Sequence, residues 1–346
     1  MLNHIRLDLN SKVPKYVQLI NSIIYNISIG NAKRGDKIPS INALSQEHYL
    51  SRDTVERAFS VLKKRNVIVS VPGRGTFIAE SEIKIKLKVL FFVNKLSPYK
   101  MMLYNSFMEK MGDNCEVDIH SYHCDENLFL ELMERYKTVY DYYVVVPHFR
   151  AENLSHISFT DKVCKAINEI PKENLLLLDS SNHSISGDYI EVYQDFENDI
   201  FSALESGQEK LKAYDKLTMV YPRATFYPYP RKILDGFRKY CSLNNFEFEI
   251  VEEITEDFEL EDKSIYITIE DDDLVRVVNK VRVSEFELGV NVGVISYNDT
   301  PLKQVLGITV VSCDFNRMGQ QAAEMILENK KEKVKAPFRL IERESL

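Results

Sequence analysis

At 346 residues, with 45% hydrophobic and 28% charged side chains, the chain has room for two or three packed domains and is too apolar to be disordered. Its net charge of −8 is uneven: residues 1–80 hold twelve Lys and Arg against six Asp and Glu, a balance of +6, which leaves −14 on the remainder. No run approaches the ~20 apolar residues that cross a bilayer, and the opening Met1-Leu2-Asn3-His4-Ile5-Arg6 lacks a secretory apolar core, so no membrane partner is expected.

After Pro14, the apolar residues Tyr16, Leu19, Ile20, Ile23, Ile24 and Ile27 fall at helical spacing, and Gly30 follows as a stop. Arg34-Gly35-Asp36-Lys37 reads as a turn. Ser40 then caps a short helix carrying Ala43 and Leu44, and Ser51 caps a helix with Val55, Ala58, Phe59 and Leu62 inside. Two short strands, over 67–71 and 76–79, flank Pro72-Gly73-Arg74-Gly75 as a hairpin tip. Three helices and a hairpin make a winged helix. Such a head, basic on an acidic body, suits a polyanion, because phosphate neutralisation is local. The first turn of the helix after Ser51 would meet base edges in the major groove. Amides near Ser40 and Ser51 would meet phosphates, and Arg74 on its glycine tip would reach the minor groove or its phosphates.

Four runs in order carry a family resemblance: Pro14-Lys15-Tyr16-Val17-Gln18, Gly35-Asp36-Lys37-Ile38-Pro39-Ser40, Ser51-Arg52-Asp53-Thr54-Val55 and Gly73-Arg74-Gly75-Thr76-Phe77. Together they resemble the head of the GntR family. The resemblance implies DNA contacts at Ser40, Ser51, Arg52, Thr54, Gly73, Arg74 and Gly75. Asn42, Asp53 and Arg57 complete the candidate DNA-binding set. Asn42 and Glu56 stand where the family usually has Arg, so the family's usual operator does not carry over. Double-stranded operator DNA is the partner implied.

A charged connection over 80–87, with Ile83, Ile85 and Leu87 alternating with lysines, separates the head (1–79) from the body (88–346) as an extended linker or extra edge strand. Apolar strands then alternate with helical stretches, which argues for a parallel α/β sheet. Strands are expected over 89–93, 116–120, 142–146, 175–179, 217–221, 264–269 and 292–296. Helices are expected over 100–111, 128–136, 161–170, 196–212, 233–244, 274–283 and 318–327. Seven strands fit one large sheet or two lobes. The runs 235–237, 269–272, 293–302 and 340–345 resemble the LacI/GalR-type effector domain. That resemblance implies a two-lobed, periplasmic-binding-protein-like α/β fold, a small ligand between the lobes, and a homodimer formed through the body. The combination is similar to the arabinose-responsive repressor architecture.

In open α/β sheets ligands sit beyond the carboxyl ends of the strands. A sugar needs carboxylate, amide and guanidinium partners for its hydroxyls and an aromatic face for its C–H surface. Tyr99, His148, Arg150, Arg223, Tyr227, Arg231, Asp271 and Asn298 are the candidate effector-binding residues. The effector domain often has an Arg where Ile233 stands, and Arg231 or Arg223 would substitute. Five scattered cysteines (Cys115, Cys124, Cys164, Cys241 and Cys313) without CxxC spacing favour reduced thiols in a cytoplasmic protein and no zinc site. The chain has no GxSxG, Walker, HExxH or evident pyridoxal-lysine pattern. No catalytic residue, cofactor or metal is therefore expected. The alternatives are a head fused to an aminotransferase-like enzyme, which absorbance in the pyridoxal band would reveal, and a ligand-independent DNA binder.

Overall fold

The computed structural model describes residues 5, 7, 14–28, 31–79, 86–181, 184–223 and 225–346. The chain divides into two compact units, with the main break between Leu87 and Lys88. Gly30, and residues 80–85 of the linker with Ile83 and Ile85, lie outside the described residues.

The first unit is the winged helix expected. Helix α1 (Lys15–Ser28) is followed by β1 (Lys37–Ile38), α2 (Ile41–Glu47), α3 (Arg52–Lys64), β2 (Ile68–Val71) and β3 (Gly75–Ile78). Leu19, Ile20, Ile23 and Ile27 of α1 are buried with Leu44 of α2 and Val55, Ala58, Phe59 and Leu62 of α3. Ser40 and Ser51 cap α2 and α3, each accepting a bond at 3.2 Å, from the amides of Ala43 and Thr54 respectively. The sheet order β1-β3-β2 adds to the hairpin a two-residue strand that the sequence pattern is too short to reveal.

The second unit contains two six-stranded sheets. The first lobe is built from β4 (Leu87–Val93), α4 (Pro98–Met111), β5 (Cys115–Ser121), α5 (Glu126–Tyr136), β6 (Tyr142–Val145), the small pair β7 (Phe149–Arg150) and β8 (His156–Ile157), α6 (Asp161–Asn168), β9 (Leu175–Asp179) and β10 (Ile190–Tyr193). The second lobe follows with α7 (Phe196–Ser206), α8 (Gln208–Leu211), β11 (Lys216–Val220), α9 (Lys232–Asn244), β12 (Glu247–Val251), β13 (Ser264–Thr268), α10 (Asp271–Val283), β14 (Val292–Tyr297), α11 (Pro301–Val305) and β15 (Thr309–Cys313). The chain then returns: α12 (Phe315–Leu327) packs on α4 and β16 (Lys333–Lys335) pairs with β10. Finally β17 (Phe338–Ile341) crosses back to pair antiparallel with β15. The chain thus passes between the lobes three times.

Among the described residues, fourteen strands of the body therefore replace the seven expected: β7, β8, β10, β12, β15, β16 and β17 are additions. The helix expected over 196–212 breaks at Gly207, where Leu340 occupies the space a side chain would need. The helix expected over 161–170 stops at Asn168. Two of the resembling runs meet in the structure. Arg343 Nη2 contacts Asp299 Oδ2 at 2.8 Å, and the buried Ser345 hydroxyl donates to Val294 O at 2.6 Å. These groups tie the carboxyl end to β14.

Candidate functional site

On the head, the expected DNA-binding residues gather where α2, α3 and the hairpin meet. A concavity of about 270 Å³ is lined by Lys37, Ser40, Asn42, Arg52, Gly75 and Thr76 among others. Two capped helix starts open beside it, and their orphan amides and dipoles favour anions. Gly73 and Gly75 have φ of +74° and +114°, a conformation L side chains rarely adopt, so the tip needs glycine there. Arg52, Asp53 and Arg74 are exposed, and the Ser51 and Thr54 hydroxyls share a 2.7 Å hydrogen bond. Arg52 Nε donates to Glu56 Oε1 at 2.8 Å. An exposed pair of this kind contributes only about 0–1 kcal/mol, so Arg52 is released at little cost. Arg57 lies apart from this concavity, its guanidinium 4.1 Å over the Tyr16 ring. Lys37, which reaches over Gly75, is a cation the sequence reading passed over.

In the body, the carboxyl ends of both parallel sheets face a shared cleft, and side chains meet across it. Tyr99 at the start of α4 receives the Lys303 ammonium at 3.4 Å, and Lys303 pairs with Asp271 at 2.8 Å. Arg150 Nη1 donates to Phe226 O at 2.6 Å and its guanidinium lies 4.0 Å over the Phe226 ring. His123 Nδ1 is 3.1 Å from the Tyr227 hydroxyl, and Lys95 Nζ is 3.3 Å from that of Tyr229. Tyr99 also stacks on Phe315, with ring centroids 5.9 Å apart. Asp179, which ends β9, and Asn298, just past β14, sit at φ +74° and +63°. Asp and Asn tolerate this left-handed region best, and such residues cluster at ligand sites.

Below the cleft lies a buried polar chain. Asp179 pairs with Lys100 and accepts from Gln194, and His148 Nε2 lies 2.7 Å from Asp179 Oδ2. His148 Nδ1 lies 2.7 Å from His156 Nε2. Burial pushes the Asp179 carboxyl up, but Lys100 and then His148 outweigh it and hold it well below the carboxylate range. Burial holds the His148 imidazole down despite Asp179, and burial followed by His148 does the same to His156. Two neutral rings fix the protons: His156 Nε2 donates to His148 Nδ1, and His148 Nε2 donates to Asp179.

As pH falls through 6.5, unfolded histidines take up protons that the folded ones refuse, so stability falls toward acid. The slope is at most about 1.4 kcal/mol per pH unit for each imidazole. The depressed Asp179 contributes in full above the ordinary value of 3.8 and loses its contribution only below it. Thermal melts should therefore drop from pH 7 to 5, and His148→Gln/His156→Gln should flatten that drop.

Of the expected effector residues, Tyr99, His148, Arg150, Tyr227, Asp271 and Asn298 thus lie at the cleft or just beneath it. Arg223 does not join them; it is exposed, 3.6 Å from Glu252. Arg231 is exposed at the start of α9 and makes no cap. Lys95, Lys100, Asp179, Gln194, Tyr229 and Lys303 are the residues the sequence reading missed. Two of these carried a signal: Asp179, as the acid closing an apolar strand, and Tyr229, in the run 221–231 where aromatics and arginines stand together. Among the described residues there is no metal-binding group of His, Cys, Asp and Glu, the five cysteines are free, and no helix is long and apolar enough to cross a membrane.

Residues 15–78 match the family of bacterial regulatory proteins, gntR family. The chain is 26% identical over 156 residues to the mannosyl-D-glycerate transport/metabolism system repressor of Escherichia coli, covering 45% of this chain and 57% of that protein. It is 35% identical over 72 residues to the arabinose metabolism transcriptional repressor of Geobacillus stearothermophilus, 21% of this chain and 20% of that one. The chain thus spans less than two thirds of these relatives. A periplasmic binding protein/LacI transcriptional regulator from Alkaliphilus metalliredigens, solved with D-xylulofuranose, superposes with a TM-score of 0.55 at 13% identity, over 75% of this chain and 99% of that one. The chain therefore carries an N-terminal gntR-family helix-turn-helix domain followed by a body with the fold of the periplasmic-binding-protein/LacI regulators.

Proposed function

We propose that the chain is a transcription regulator, a repressor, that binds a double-stranded operator as a homodimer and is controlled by a sugar held between the lobes of its body. The observation that carries this reading is the convergence of Ser40, Asn42, Arg52 and Gly75 on one concave face beside two capped helix starts. The first turn of α3 enters the major groove with Arg52, Asp53 and Thr54, while Arg74 on the wing meets a phosphate bordering the neighbouring minor groove. Sugar binding changes the angle between the lobes, and so the spacing of the two heads. Half-sites one helical turn apart are sensitive to that spacing. The relatives' names, and the sugar bound in the structural neighbour, support this assignment of the ligand class.

Fluorescence anisotropy of the full chain on its own upstream DNA, against an unrelated duplex, tests the first half. Specific binding that weakens with salt is expected. Arg74→Ala should weaken both duplexes alike and lower the slope of log K against log salt by about one. Equal affinity of the parent chain for both duplexes would count against the reading.

A further inference from the structure

The cleft is electrically two-sided. Its first-lobe wall carries Lys95, Lys100 and Arg150, all close enough to Cys124 to favour its thiolate against the upward push of burial. The one carboxylate on that wall's buried chain, Asp179, is already engaged by Lys100 and His148. Its second-lobe wall carries Glu270 and Asp271, the latter paired with Lys303.

Among the described residues, Lys95 and Arg150 form no ion pair with a carboxylate; both rest on aromatic faces of one segment. Lys95 Nζ lies 5.3 Å from the Tyr227 ring and 4.8 Å from that of Tyr229, and Arg150 lies over Phe226. The Tyr229 hydroxyl takes the Lys95 ammonium's hydrogen bond and is itself bonded to Glu270, whose charge also favours the ammonium directly. Burial, then Lys100, push the Lys95 ammonium below its ordinary range. A ring face holds a cation less firmly than a charge-assisted bond to a carboxylate or phosphate does. An arriving anion would displace the rings and free them to stack on the C–H face of a sugar.

We infer that the cleft takes an anionic monosaccharide, phosphorylated or carboxylated, with its anion between Lys95 and Arg150 and its hydroxyls on Asp271 and Asn298. This rests on the reading of the cleft as the effector site. A neutral sugar would leave both cations without a directly paired anion in a partly buried site, which is unfavourable.

The test is thermal shift and titration calorimetry of the full chain with matched probes: glucose, glucose 6-phosphate and gluconate; ribose and ribose 5-phosphate; and inorganic phosphate alone. At least one anionic sugar should bind tenfold or more tightly than its neutral counterpart, and its binding should weaken with salt. Lys95→Gln and Arg150→Gln should each cost roughly ten- to hundredfold in that affinity, the range for a lost charged hydrogen bond. The phosphate and carboxylate arms separate the two sources of the anion. Overturning results are a neutral sugar that binds as tightly as its charged partner, free phosphate that binds as tightly as any sugar, variants that keep full affinity, or no binding by any probe. Operator binding measured alongside reports on the regulator reading separately: specific DNA binding that a neutral sugar alters leaves that reading standing while this inference falls.

Discussion

Asp179→Ala should destabilise the body by about 3–5 kcal/mol, the usual cost of leaving a buried charge without its partner. Lys100 is buried in α4 and Asp179 ends the buried strand β9. The alanine variant strands the ammonium, the His148 Nε2–H and the Gln194 amide together. Removing both charges as Lys100→Met/Asp179→Leu should recover much of the loss, because two desolvated ions are replaced by apolar volume. The recovery should be incomplete, since His148 still lacks its acceptor. Denaturant melts of the two single variants and the double variant measure the coupling. A loss below about 1 kcal/mol for Asp179→Ala would show that the ion pair is not formed.

Gly236→Val is expected to cost about 3 kcal/mol, the upper part of the range for overpacking. A Cβ at this position would lie 2.1 Å from Glu197 O and 2.6 Å from Ile200 Cγ2, so α7 and α9 would have to separate. The nearer obstacle is backbone, which cannot rotate away. Helix propensity points the other way, favouring alanine over glycine by about 0.5–1 kcal/mol in a helix interior. Gly236→Ala therefore decides between the two effects, and a loss of stability is expected from steric overlap. Leu243, exposed on the same helix, serves as control, and Leu243→Ala should change stability by less than about 0.5 kcal/mol. A Gly236→Val protein that melts like the parent would contradict the close α7–α9 packing.

The head was legible because its signals are local. Caps at Ser40 and Ser51, helical spacing in α1 and α3, and glycines at the tip each act within a few residues. Only β1 escaped, since two residues carry no period. The body was less legible, and the misses share a cause. Strand β12 reads Glu-Phe-Glu-Ile-Val and is mostly exposed, so it lacks the apolar run of its neighbours. Strands β16 and β17 are short segments whose place is set by partners far away in sequence, β10 and β15. Strand β15 reads Thr-Val-Val-Ser-Cys and is buried throughout, so its two hydroxyl residues mask a buried strand and show no alternation. At the cleft, residues just past strand ends were found from the strands themselves. Lys100 and Lys303 were missed because a lysine inside a helix reads as solvated; only the fold shows these two buried. Arg223 and Arg231 were selected for chemistry near an aromatic run, and the backbone turns both outward.

The most direct measurement is operator affinity of the full-length chain, read by fluorescence anisotropy on its own upstream DNA while a panel of neutral and anionic sugars is titrated in. Tight, sequence-specific binding is expected in the absence of sugar, weakened at least tenfold by one sugar. That sugar should also raise the melting temperature of the chain, since a ligand held only by the folded state stabilises it. Specific binding that no member of the panel alters, with no member stabilising the protein, would contradict control by a sugar between the lobes.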